Sequence, residues 1–135
     1  MSVPTPPQYQ VNPTHRKKAY AGKKSQWTIT ESEEEAVFEF AVAKKWQASE
    51  CFWGLYVAEQ AVEPLGITIE PECTSLGIAK FVDKKNSGIW HGYPVASWLS
   101  NNDKPDVCIL NKWLECEYIN KSRHSRIHRG KSFSW

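Results

Sequence analysis

Apolar positions along this chain fall into blocks of different period, and each period predicts an element. Between Glu33 and Gln47 the run Ala36, Val37, Phe38, Phe40, Ala41, Val42 and Ala43 is broken only by the charge of Glu39. Glu33, Glu34 and Glu35 at its start and Lys44 and Lys45 at its end match the two poles of a helix dipole. Ser32 precedes Glu35 at capping-box spacing. Phe38, Phe40 and Val42 also alternate as a strand would, and the matched end charges decide for a helix over 33–47. In the next block Cys51, Leu55, Ala58 and Val62 share a helical face, Ser49 supplies an N-cap, and Pro64 and Gly66 supply a stop. The pattern predicts a second helix over 49–63, weakened by about 1 kcal/mol at Gly54.

The period then changes. Ile67 and Ile69 alternate with polar neighbours, and Leu76–Val82 and Ile89–Tyr93 are short apolar runs. The separator Asp83-Lys84-Lys85-Asn86-Ser87-Gly88 is turn chemistry, so a small antiparallel sheet or hairpin is expected over 66–93. Leu76–Val82 also reads as a short helix. Residues 104–118 read as a helix with Asp103 as N-cap, Pro105 in its first turn, and Val107, Leu110, Trp113 and Leu114 as its apolar stripe. A last short helix is expected over 122–129, capped by Ser122 and stopped by Gly130. Ile127 is its only strongly apolar residue, so it must lean on other structure or on a partner.

These elements predict a single α+β domain, mostly helical, with basic flexible ends. Residues 1–26, with Pro4, Pro6, Pro7 and Pro13, read as an extended basic arm that Tyr9, Val11 and Tyr20 are placed to dock. Residues 27–120 form the globular body, and 121–135 a basic tail tipped by Trp135.

Charge sharpens this division. Met1–Thr30 holds five bases and no acid, Glu31–Asn120 is net −8, and Lys121–Trp135 holds five bases and no acid. Basic ends on an acidic body either reach a polyanion or fold back to neutralise the body. No run of 18 apolar residues occurs, which argues against a membrane-spanning helix. The first residues lack a secretory pattern, so a cytoplasmic setting with reduced thiols is expected for Cys51, Cys73, Cys108 and Cys116.

Four candidate sites follow. Arg123, Arg126 and Arg129 lie on one broad side of the last helix, in a helix–turn–helix-like unit, and with Lys131 they suit phosphate or guanine contact. The segment Gly88-Ile89-Trp90-His91-Gly92-Tyr93-Pro94 gathers two aromatics, a histidine and two glycines, so His91 is a candidate acid or base. As a tight turn, the same segment plugs Trp90 and Tyr93 into the core and leaves His91 one hydrogen bond. The seven tryptophans exceed what so small a domain easily buries, which makes Trp90 and Trp135 candidate contact residues. Cys108, Cys116, His124 and His128 contain an acceptable His-x3-His half, but the two thiols stand about 80° apart on a helix. Two buried cysteines and two exposed histidines explain them as well, and no metal or cofactor is expected.

No P-loop, dinucleotide fingerprint, HExxH or nucleophile elbow occurs. The leading expectation is a cytoplasmic, non-enzymatic binding protein. It would act on nucleic acid, or on a nucleic-acid-handling protein complex, through Arg123, Arg126, Arg129, Lys131, Trp90, Tyr93 and Trp135. The alternatives are a metal-independent nuclease or transferase using His91, and an inhibitor or adaptor that occludes another protein.

Overall fold

In the computed structural model, which describes residues 6–135, helix, short 3-10 turns included, accounts for 30% and strand for 23% of those residues. The expectation of a mostly helical domain is thereby corrected: the fold is mixed α+β with several sheets. The strands are β1 (Gln8–Tyr9), β2 (Gln26–Trp27), β3 (Gln47–Ala48), β4 (Cys51–Gly54), β5 (Tyr56–Ala58), β6 (Ala61–Glu63), β7 (Gly66–Ile67), β8 (Ser75–Leu76), β9 (Ala79–Val82) and β10 (Ile89–Pro94). The helices are α1 (Glu31–Ala43), α2 (Val107–Glu115) and α3 (Lys121–His128). The main sheet has the order β1-β10-β9-β4-β3, β2-β7-β8 form a second, and β5-β6 a hairpin.

The expected helix over 49–63 is instead β4, β5 and β6. Its apolar residues serve two sheet faces: Phe52 packs edge-on to Phe38 of α1, while Trp53 on the opposite face lies under the Lys80 ammonium. What turns the chain is backbone that the sequence does not advertise. Ser49 and Glu50 have φ of 54° and 64°, and Glu59 and Gln60 have φ of 49° and 70°. Two consecutive left-handed residues close each two-residue hairpin, a role usually taken by Asn-Gly.

α1 forms where expected but begins earlier, at Glu31, under a Thr30 cap. The Thr30 hydroxyl accepts from the Glu33 amide and the Glu33 carboxylate accepts from the Thr30 amide, so the capping box is Thr30–Glu33 rather than Ser32–Glu35. The expected 104–118 helix shortens to α2, with Asp106 as its cap. α3 is capped by Asn120 rather than Ser122, and Gly130, at φ 68°, follows its end. Ile127 is fully buried, as are Trp113, Ile109 and Leu110 of α2, so α3 leans on the core through this one side chain. β9 and β10 make an antiparallel hairpin across 83–88.

Both basic ends are docked over the described residues, which corrects the expectation of flexible ends. β1 pairs in parallel with β10, and the Tyr9 ring lies 5.0 Å from Phe38 and 5.6 Å from Phe81. Val11 is half-buried and Tyr20 is exposed. At the other end the Trp135 amide donates to the Ser75 carbonyl, and its ring lies where a side chain on Gly77 would be. Within the core, Phe38, Phe52 and Phe81 join α1 to the main sheet. Trp27, Trp46, Trp53 and Trp113 are buried; Trp90, Trp98 and Trp135 are half-buried.

Candidate functional site

Strand β10 presents alternate residues to opposite sides. Gly92 faces inward, because a side chain there would collide with the Phe81 ring and approach the Tyr9 hydroxyl. His91 and Tyr93 therefore stand on the outer face, about 6.6 Å apart along the strand. Against this face lies the basic N-terminal segment. The His15 ring stacks on Tyr93 at 5.1 Å between centroids and 15° between planes.

Each imidazole is oriented by a backbone carbonyl. His15 Nδ1 donates to the Ser25 carbonyl at 2.9 Å, and His91 Nδ1 to the Gln10 carbonyl at 3.0 Å. A carbonyl only accepts, so in both rings the proton of the neutral form sits on Nδ1 and the lone pair on Nε2. Both carbonyls are themselves tied to β10. The Gln10 amide donates to the Trp90 carbonyl, and the Ser25 hydroxyl donates to the Pro94 carbonyl at 2.7 Å. His15 is 7% exposed, and its Nε2 has no hydrogen-bond partner among the described residues. Burial lowers the His15 pKa from the ordinary imidazole value and the nearby Lys24 charge lowers it further; the Ser25 bond only partly opposes them.

These rings line a cleft of about 360 Å³ with Gln10, Asn12, Lys24, Lys84, Lys85 and Tyr93. That volume suits a small ligand or one unit of a polymer. Its acid is Asp83, which is occupied by the turn: its carboxylate accepts from the Ser87 amide and hydroxyl and from the Gly88 amide at 2.7 Å. Partial desolvation raises the Asp83 pKa, but these bonds outweigh it and hold the carboxyl below its usual range. Lys24, Lys84 and Lys85 make no ion pair among the described residues.

A second depression, of about 450 Å³, is lined by Cys51, Trp53, Lys80, Asn102, Lys104 and His128, among others. Its cations are engaged. Lys80 donates to the Asn102 carbonyl and lies 3.7 Å from Asp103, and Lys104 donates to the His128 carbonyl at 3.1 Å. The first cleft therefore offers the freer positive charge.

The structure disperses the tail residues. The Arg123 guanidinium stacks over the rings of Trp135 at 4.2 Å and Phe133 at 5.2 Å, and burial lowers its pKa. Arg126 donates to the Ser132 carbonyl at 3.0 Å, while Arg129 and Lys131 are exposed. The three arginines thus do not share one free face, and none of them lines the first cleft. Trp90 is turned toward Phe52, at 4.9 Å, and Phe38, at 6.3 Å. Of the sequence-derived candidates, the cleft gathers His91 and Tyr93 alone, and it adds His15, Lys24, Lys84 and Lys85.

Cys108 and Cys116 are exposed, not buried as the sequence suggested, because the buried stripe of α2 is Ile109, Leu110 and Trp113. His124 bonds to Asn111 at 2.8 Å. Among the described residues no three His, Cys, Asp or Glu side chains come together as a metal site, and no helix is long and apolar enough to cross a membrane. No protein-family model, curated protein or solved structure matches this chain.

Proposed function

We propose that the protein binds nucleic acid in the cytoplasm and holds the phosphate backbone in the cleft between the N-terminal segment and the β9–β10 hairpin. The observation that carries this reading is the set of three unpaired lysines, Lys24, Lys84 and Lys85, around two histidines, with Asp83 already occupied. Phosphates supply most of the binding energy available to such a set, and counterion release makes that energy salt-dependent. Gln10 and Asn12 add neutral polar groups for sugar or base edges. The four unpaired thiols suit a reducing compartment.

Fluorescence anisotropy of labelled single-stranded oligonucleotides over a salt series tests the reading. Lys24→Gln, Lys84→Gln and Lys85→Gln together should weaken binding and flatten the slope of log K against log salt by about 0.7 for each lysine–phosphate pair removed. Arg126→Gln, Arg129→Gln and Lys131→Gln together should change the slope less. Salt-insensitive binding, or weakening confined to the tail variant, would overturn the assignment of the cleft.

A further inference from the structure

The cleft holds more than binding requires. Building on the nucleic-acid reading above, we infer that the protein cleaves single-stranded RNA by internal transesterification, with His15 and His91 as the proton-transfer pair. Attack on a phosphodiester needs a base to take a proton, an acid to protonate the leaving oxygen, and positive charge on the phosphoryl oxygens. The cleft offers all three. His15 and His91 each have Nδ1 locked on a carbonyl, leaving Nε2 as the working nitrogen. Both stand on the outer face of β10, His91 as part of the strand and His15 stacked on its neighbour Tyr93. Lys24, Lys84 and Lys85 line the same space.

The substrate class follows from what the cleft lacks in its own side chains. Among the described residues its lining includes no cysteine, the Ser87 hydroxyl is held by Asp83, and the Tyr93 hydroxyl is turned to Asp103 at 3.5 Å. A ribose brings its own nucleophile, the 2′-hydroxyl, already placed beside the phosphorus. His15, kept neutral by burial, takes the 2′-hydroxyl proton on Nε2. The 2′-oxygen bonds to phosphorus, and the bond from phosphorus to the 5′-oxygen breaks. His91, in its imidazolium form, gives the proton to that 5′-oxygen. The products are a 2′,3′-cyclic phosphate and a 5′-hydroxyl, and the net proton count is unchanged. The lysine ammonium groups stabilise the charge that builds on the equatorial oxygens. The single strand is favoured because its unstacked backbone can bring the 2′-oxygen into line with the leaving group.

The test uses the full chain, a chelator, a labelled single-stranded RNA and the same sequence as all-deoxy DNA. Gel analysis should show RNA cut, DNA bound but intact, and 2′,3′-cyclic phosphate ends by mass spectrometry. His91→Ala should slow cleavage by about 10²- to 10⁴-fold, far more than it weakens binding of the all-deoxy strand. His15→Ala should act likewise; because His15 is buried and that variant can fail to fold, His91→Ala and the chemistry of the ends carry the decision. DNA bound with RNA left intact would overturn the cleavage inference and leave the binding reading standing. Failure to bind either strand would overturn both. Ends bearing a 5′-phosphate, or undiminished cleavage by His91→Ala, would overturn the proton-transfer assignment.

Discussion

His15 shows how much of a site one residue's neighbourhood decides. In the sequence it stands in Asn-Pro-Thr-His-Arg-Lys-Lys, amid prolines and bases that read as an arm. His91 is legible because glycines and aromatics surround it; His15 is not, because its partners, Ser25 and Tyr93, are ten or more residues away. Glu34 escapes the sequence for a similar reason. It reads there as one of three dipole charges, yet its side chain is fully buried, accepting from the Tyr9 hydroxyl and from Arg16 Nε at 2.8 Å. Burial raises its pKa even against the Arg16 charge. The linkage at His15 has a definite sign. Its folded pKa lies below the unfolded value of 6.5, so its contribution to stability is fully present above that value and is lost as pH falls toward the folded pKa. Between pH 7.5 and 5.5 the thermal midpoint of the parent should therefore fall more than that of His15→Gln, which does not titrate there. Parallel melting profiles across this window would show that His15 is not held neutral by the fold.

Element boundaries are legible where local chemistry and tertiary structure agree. α1, α2 and α3 lie within a few residues of their expected spans because apolar stripes are local signals, whereas each observed cap, Thr30, Asp106 or Asn120, stands two or three residues from the expected one. The β4–β6 region reads as a helix because its true signals are not local. Its hairpins turn on Ser49-Glu50 and Glu59-Gln60, residues that carry no turn signature and adopt left-handed backbone at about 1 kcal/mol each or more. Tertiary pairing overrides that penalty: β4 is bonded on both sides, to β3 and β9. The β5–β6 hairpin makes a sharp test because helix and hairpin predict opposite signs. Replacing Glu59-Gln60 by Asn-Gly should relieve strain and raise the thermal midpoint by about 3–8 °C. In a helix the same change would lower it, since glycine disfavours a helix interior by about 1 kcal/mol. A lower midpoint would contradict the hairpin.

At the scale of the whole molecule, the segregated charge is legible in the sequence but its use is not. Among the described residues the ion pairs are Arg16–Glu34 and Lys80–Asp103, so Arg16 alone of the end bases neutralises the acidic body directly. The ends are held instead by aromatic packing: Tyr9 against Phe38 and Phe81, and Phe133 and Trp135 beneath Arg123. This mode of docking leaves the two basic regions in different settings. The N-terminal segment is anchored beside a cleft and keeps Lys24 unpaired, whereas the tail commits Arg123 and Arg126 to contacts within its own chain. Removing residues 131–135 should therefore expose Arg123 and uncover Gly77 and Trp98, which the tail rings cover. Loss of the two half-buried rings and their cation–π interactions should reduce stability by about 2–4 kcal/mol in urea titration. Assayed well below its melting temperature, the shortened protein should bind the oligonucleotides with nearly the parent's affinity, because no tail residue lines the cleft. A truncation that stays folded but loses salt-sensitive binding would return the phosphate contacts to the tail, and Arg129 and Lys131 would become the residues to replace next.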